Sequence, residues 1–216
     1  MELKMDRKNV LIMLAVGLML IQFGCSAQRA QRTGFLSDYS KLRPHSDVSY
    51  RNIPSQETIR CYSKFIIDPV VVHFHAGSEA VVKRTKGKIT EQDITDLKNY
   101  MHDAIVKTLS DRYSIAYRPG PGIARVRIAI TDLKKSNVLM NIHPGSKLLG
   151  SGLGGASLEA EWLDSQTGEQ VAALLESQLG DRLSLDGLSE WGDAKAIMDD
   201  WAQRFRKRLD EAHGRF

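Results

Sequence analysis

Asp68, His73 and His75 are of residue types that could hold a metal ion, and they lie in one apolar segment, SKFIIDPVVVHFH. Because side chains of a strand alternate between its two faces, His73 and His75 share a face. Asp68 falls on the opposite face unless Pro69 introduces a bulge. The segment leaves open a metal-dependent enzyme built from dispersed residues, but it does not supply a complete ligand set.

A second candidate is the glycine-rich segment of residues 134–155, in which Gly150, Gly152 and Gly155 fit the spacing G-x-G-x-x-G. In a dinucleotide site this motif follows a strand and opens a helix. Residues 156–163, ASLEAEWL, instead alternate apolar and polar side chains as a strand does. We therefore reject nucleotide binding and interpret the segment as a loop whose apolar residues could contact a membrane or a protein partner.

Catalytic motifs of fixed spacing are missing from the sequence. It contains no G-x-S-x-G elbow, no H-E-x-x-H, no P-loop and no paired-cysteine metal spacing. Asp199 and Asp200 are adjacent in a helical pattern and point apart, so they form no carboxylate dyad. The prediction is a non-enzyme with no catalytic, metal-binding or cofactor-binding residue.

Cys25 carries the clearest chemical signal, because it follows a charged start and an unbroken apolar run over residues 10–21. This is a signal-peptide profile, and the run is shorter than the ~20 residues that span a bilayer. A glycine followed by Cys25 resembles the lipobox of bacterial lipoproteins, although Gln22 and Phe23 depart from it. The resemblance implies acylation of Cys25; cleavage after Ala27, giving a soluble periplasmic protein, is the alternative.

Ser26, rather than an aspartate, follows Cys25. Aspartate at that place is the usual inner-membrane retention signal in such lipoproteins, so the resemblance implies the periplasmic face of the outer membrane. The predicted organisation is a signal peptide over residues 1–24, a lipidated cysteine and flexible tether over 25–33, an N-terminal arm over 34–51 and a domain over 52–213.

The composition is that of an ordinary globular domain, with 42% hydrophobic and 26% charged residues in a chain of 216. A net charge of +4 could indicate nucleic-acid binding, but basic and acidic residues are interleaved. The basic runs at residues 83–88 and 204–208 are interpreted as solvated faces, and no nucleic acid is expected. Cys61 is expected to be a partly buried small hydrophobe.

Five segments have strand patterns and two have helical ones. The turn Pro119-Gly120-Pro121-Gly122 predicts a hairpin between the second and third strands. Thr90 and Asp93 form a capping-box pattern at the start of the first helix. Trp191 and Trp201 are expected to be core anchors of the second helix. The strand patterns cover residues 63–75, 113–117, 122–133, 156–163 and 170–178. The helical patterns cover residues 90–111 and a second stretch that begins at Ser189 or Asp193 and ends at about Glu211.

The elements predict an α+β fold, namely a mainly antiparallel five-stranded sheet with two long helices packed on one face. Several segments, in the same order along the chain, resemble the DUF3313 family of bacterial lipoproteins of unknown function. They are GFLSDYS at Gly34, the Asp68-Pro69-Val70 step, the Pro119-Gly120-Pro121-Gly122 turn, AITDL at Ala129, GGASLEAEWLDSQTGE at Gly154 and WGDAKAIMDDWAQRFRKRL at Trp191. The resemblance implies a small envelope lipoprotein and carries over no catalytic residue.

Two function hypotheses follow from these observations. The first is a non-enzymatic binding or scaffolding module of the envelope, anchored through Cys25, with the loop of residues 134–155 as the contact for an envelope protein partner. The alternative is a soluble periplasmic or metal-dependent envelope enzyme that uses dispersed residues such as Asp68, His73 and His75.

Overall fold

A computed structural model describes residues 30–75, 78, 80–81, 83, 88–142, 145 and 152–215. Within these residues the chain forms one sheet of eight strands and four α-helices. The mixed α+β class is confirmed, whereas the predicted count of five strands is wrong. The strands are β1 (Arg43–Ser46), β2 (Ser49–Asn52), β3 (Lys64–Ile67), β4 (Val71–Val72), β5 (Ser114–Ile115), β6 (Ile123–Lys134), β7 (Gly155–Asp164) and β8 (Gln170–Leu179); the helices are α1 (Gln56–Arg60), α2 (Glu91–Leu109), α3 (Val138–Ile142) and α4 (Gly192–His213).

The sheet is mostly antiparallel and its strand order is β1-β2-β8-β7-β6-β3-β5, with β4 also beside β6. The long strands β6, β7 and β8 form an antiparallel meander at its centre. β3 and β4 run parallel to β6. The arm of residues 34–51 contributes β1 and most of β2, which pair with each other and, through β2, with β8.

The predicted strand of residues 63–75 is divided at Pro69, which cannot donate a ladder hydrogen bond. Ile67 pairs with Val126 and Val71 with Ala129, so four steps along this segment oppose three steps along β6. The extra residue is a bulge, and it shifts the alternation of side chains between faces.

The predicted hairpin of β5 and β6 is wrong. Both strands lie beside β3 and run parallel to it, so β3 separates them. Phe65 of β3 is completely buried, because its ring packs in the core against Tyr113, Trp162 and Phe205. The Pro-Gly turn therefore crosses over β3 instead of closing a tight hairpin.

Both long helices form where the local pattern predicts them. Thr90 accepts a hydrogen bond from the backbone of Asp93, and the Asp93 carboxylate accepts one from the backbone of Thr90, which confirms the capping box. The apolar stripe of α2 is buried, and it comprises Ile94, Leu97, Met101, Ile105 and Leu109. α4 ends at Gly214, whose φ of 65° suits a glycine C-terminal cap.

α2 and α4 pack against each other and against one face of the sheet. That face carries alternate residues of β6 and β7, such as Ile128, Leu158 and Trp162, in the main apolar cluster. The other face carries Glu159 and Glu161, and residues 30–42 cover it together with a second, smaller cluster around Leu36 and Leu42. The sheet therefore has two buried faces.

Candidate functional site

A cavity of about 360 Å³ lies between α4 and the sheet. Its wall is mainly apolar and includes Ile128, Leu158, Trp201 and Phe205. Exposed lining residues mark its opening at Ile53, after β2, and along the second half of α4. The volume falls at the lower end of the range for small-molecule pockets, about 300–1,000 Å³.

Glu176 of β8 lies in the wall of this cavity and is 5% exposed. Its carboxylate accepts hydrogen bonds from Arg204 (2.6 Å), Arg51 (2.8 Å) and Trp201 (3.1 Å). Burial by itself would raise the pKa of Glu176, but the hydrogen bonds from Arg204 and Trp201 outweigh it and hold the pKa below its ordinary value. An ionised carboxylate therefore joins α4 to β8.

Replacing Glu176 with glutamine is expected to lower the free energy of unfolding by about 1–3 kcal/mol near neutral pH. Because its folded-state pKa is depressed, the stabilisation by this carboxylate is present above the ordinary value near 4.5 and is lost as pH falls through the folded pKa. Urea denaturation should show the gap between wild type and Glu176→Gln narrowing below about pH 4.5. Glu169→Gln, at an exposed glutamate of the β7–β8 turn, is the control. A gap independent of pH would contradict the assignment.

The basic run of residues 204–208 is not one solvated face. Arg206 pairs with Asp111 and Asp210, and its side chain is 14% exposed. Lys207 and Arg208 are exposed, as predicted, and both line the mouth of the cavity. The sequence interpretation is therefore correct for these two residues and wrong for Arg206 and for Arg204, which is half-buried and binds the buried Glu176. The run of residues 83–88 lies mostly outside the described residues.

Two buried glutamates of β7 hold the N-terminal arm on the second face of the sheet. Glu159 is 0% exposed and accepts hydrogen bonds from the backbone of Thr33 (2.7 Å) and the hydroxyl of Tyr39 (2.6 Å). Glu161 accepts from the backbone and hydroxyl of Ser37 and pairs with Arg127. Charge-assisted bonds of this kind fix Thr33, the last residue of the predicted tether, and the start of the arm.

A buried polar cluster explains the glycines near residue 154. Asp193 of α4 is 0% exposed and accepts hydrogen bonds from the backbone of Gly154 (2.7 Å) and the hydroxyl of Ser136 (2.9 Å). A Cβ on Gly154 would lie 2.6 Å from the Ser136 Oγ, and one on Gly155 would lie 2.8 Å from the Gln178 carbonyl. Close packing, not phosphate binding, requires these glycines. Gly150 lies outside the described residues.

Asn141 links this cluster to α3. Its side-chain amide donates to the carbonyls of Gly152 (3.0 Å) and Gly187 (2.8 Å), so α3 is fixed against the short 3₁₀ helix Asp186–Leu188. Large aliphatic side chains nevertheless stay exposed on α3, on the 3₁₀ helix and on the residues just before the 3₁₀ helix. We call them the leucine patch, which comprises Leu139, Ile142, Leu183, Leu185 and Leu188.

Asp68, His73 and His75 do not converge on a metal site. The bulge at Pro69 does bring Asp68 and His73 to the same face, but Asp68 pairs with Arg125 at 2.9 Å and the His73 ring packs edge-on against Phe35. Across the described part of the chain, no group of three or more histidine, cysteine, aspartate or glutamate side chains could hold a metal ion.

The remaining predicted residues have mixed outcomes. Trp201 is a buried core anchor, as predicted, while Trp191 is half-buried and donates to Asp93. Cys61 is exposed, which contradicts the expected partial burial, because it caps α1 instead of belonging to a strand.

Cys25 and the signal segment lie outside the described residues. Over residues 30–215, as far as these are described, no helix is long and apolar enough to cross a membrane.

Comparison with known families gives one decisive match. The family described as "Protein of unknown function (DUF3313)" matches residues 31–205. The chain belongs to the DUF3313 family. The matched range contains the arm, the sheet and most of α4, so it includes the residues that bury both faces of the sheet. No curated protein shows significant similarity to this DUF3313 chain.

Solved structures give a distant likeness. Two structures of the PelC dodecamer from Paraburkholderia phytofirmans, one of them a point variant, are 10% and 11% identical to this chain. Each covers 74% of this chain and 95% of PelC, with a TM-score of 0.41. A likeness at this level supports no inference about what this DUF3313 protein binds or how it assembles.

Proposed function

We propose that this protein is an exported, non-enzymatic binding module of the bacterial envelope, held at the periplasmic face of the outer membrane by acylated Cys25. The apolar run before Cys25, the glycine that precedes it and the serine that follows it support the anchor. The polar spacer after Cys25 leads directly into the arm that Glu159 holds on the sheet. The domain would then be tethered at one fixed point.

The leucine patch is the observation that carries the binding role. Single exposed apolar residues are normal on a protein surface, but clustered ones mark interaction sites. Leu139 is 76% exposed, Leu183 84% and Leu185 74%. The helix that carries Leu139 contacts the 3₁₀ helix Asp186–Leu188, which follows Leu183 and Leu185 directly in the chain. Two patch residues lie within residues 134–155, the segment for which the sequence predicts an envelope protein partner.

The structure beneath the patch also favours a binding role. Asn141 connects α3 to the 3₁₀ helix. Asp193, at the start of α4, accepts a hydrogen bond from the backbone of Gly154, the residue just before β7. Segments whose backbone is already fixed lose little further backbone freedom when a partner binds. The patch is thus suited to a protein partner with an apolar surface.

Site-specific photo-crosslinking tests the patch in cells that produce the full chain. A photoreactive residue at Leu139 or Leu185 is expected to give one adduct of defined mass, because both positions would face the partner. The control is Tyr117, which is 91% exposed and lies away from the patch on the turn after β5. Equal crosslinking at Tyr117, or none at the two leucines, would refute partner binding through this surface.

Mass spectrometry of the mature N-terminus tests the anchor. Acylated Cys25 should be the first residue in the wild-type protein, and Cys25→Ser should leave an unacylated chain. Fractionation should place the wild-type protein in the outer membrane. A free N-terminus at Gln28 would instead indicate the soluble periplasmic alternative.

A further inference from the structure

The cavity beneath α4 opens to solvent at its mouth and extends into the protein between α4 and the sheet. Pockets that bind small molecules are clefts of this kind, with volumes of about 300–1,000 Å³. Here about 360 Å³ is open between α4 and the sheet. The space reaches inward to Met101 and Ile105 of α2 and to Ile128 of β6.

The inner wall favours hydrocarbon over a polar ligand. Leu158, Trp162 and Phe205 provide apolar surface. The buried carboxylate of Glu176 already accepts hydrogen bonds from two arginines and from Trp201, so it is not required to hold a ligand. Burial of apolar groups in such a space is favourable without directional contacts.

The mouth of the cavity has an excess of positive charge. The lining contains four cationic residues, Arg51, Arg204, Lys207 and Arg208, against three acidic ones, Glu161, Glu176 and Glu211, and Glu161 pairs with Arg127 outside the lining. Arg51 and Arg204 bind Glu176, and Lys207 is 3.9 Å from Glu211. Arg208 forms no hydrogen bond or ion pair with a described residue, which leaves its guanidinium available at the opening.

We propose that this cavity binds an anionic single-chain amphiphile, such as a long-chain fatty acid, with its hydrocarbon chain beneath α4. The anionic head group lies at the mouth and pairs with Arg208 and Lys207, which remain in water. An apolar interior and a cationic rim together select an amphiphile over either a neutral hydrocarbon or a small anion. The ligand site is separate from the leucine patch.

Tryptophan quenching by dibromostearate tests this site, because Trp162 and Trp201 line the cavity. The full chain, held in an amphipathic polymer without detergent, is titrated with dibromostearate and with the corresponding uncharged dibromo alcohol. Quenching by the acid should saturate at one ligand per chain, and the acid should bind about tenfold more tightly than the alcohol. Non-saturating quenching, or equal affinity of the two probes, would overturn the proposal.

Two variants separate the role of charge from that of the cavity. Lys207→Gln combined with Arg208→Gln should weaken binding of the acid about tenfold and leave the alcohol unchanged. Lys41→Gln combined with Lys107→Gln removes the same charge at two exposed sites outside the cavity and should change neither affinity. Ala172→Phe places a ring in the cavity and should abolish binding of both probes. Should Ala172→Phe misfold, the charge variants still decide: unchanged acid binding in the mouth variant refutes the site.

Discussion

Replacing Trp201 with alanine is expected to lower the free energy of unfolding by about 3–5 kcal/mol. Trp201 is 5% exposed and belongs to the apolar cluster between α4 and the sheet. Its Nε1 also donates to the buried carboxylate of Glu176 at 3.1 Å. Loss of the ring would enlarge a cavity that already measures about 360 Å³ and remove one of the bonds that keep Glu176 ionised. Urea denaturation at neutral pH measures the change.

Lys207→Ala is the matched control on the same helix. Its side chain is 77% exposed and its ion pair with Glu211 is 3.9 Å long. Exposed pairs of this kind contribute little, so the free energy of unfolding should stay within about 0.5 kcal/mol of wild type. Similar losses in the two variants would contradict the position of Trp201 in the core.

The helices could be predicted because their signals are local. The capping box at Thr90 and the apolar stripe through Leu109 each depend on residues three or four positions apart. The second helix likewise has a stripe that includes Trp201 and ends where Gly214 permits a positive φ. Such signals need no information from the rest of the chain.

The strand pairing could not be predicted in the same way. β2 pairs with β8, whose sequence lies more than 100 residues away, and its own sequence, SYRN, has no apolar alternation. The hairpin prediction for β5 and β6 failed because β3 lies between them. The turn motif between β5 and β6 contains no information about β3, which comes earlier in the chain. Side-chain packing against residues that are distant in the sequence decides these pairings.

The acidic residues of the candidate site were missed for the same reason. The alternation in ASLEAEWL correctly predicts a strand with an apolar face, but it also suggests that Glu159 and Glu161 meet water. Both are buried because Thr33, Ser37 and Tyr39, about 120 residues earlier, cover them. Carboxylates at alternate positions in an otherwise apolar central strand are the one local signal that could have indicated partners.

Asp193→Ala is expected to lower the free energy of unfolding by about 3 kcal/mol or more, since two buried donors would lose their acceptor. The carboxylate, which is 0% exposed, accepts from Gly154 at 2.7 Å and from Ser136 at 2.9 Å. Each unsatisfied buried donor costs about 1–3 kcal/mol. Gly180 also packs so closely on Asp193 that a Cβ there would overlap it, so the void left by the deletion has rigid backbone on one side. Urea denaturation and hydrogen exchange at Gly154 measure the effect.

Asp200→Ala provides the comparison on α4, because that carboxylate is 46% exposed and pairs with Arg204 across one helical turn. Its loss should change the free energy of unfolding by no more than about 0.5 kcal/mol. If Asp193 acts through its two acceptor bonds, Asp193→Asn, which keeps one carbonyl oxygen, should recover part of the stability lost in Asp193→Ala. Exchange at Gly154 should slow in parallel, since the same bond protects that amide. Equal losses for alanine and asparagine would show that the negative charge near the start of α4, rather than the two hydrogen bonds, is what stabilises this end of the sheet.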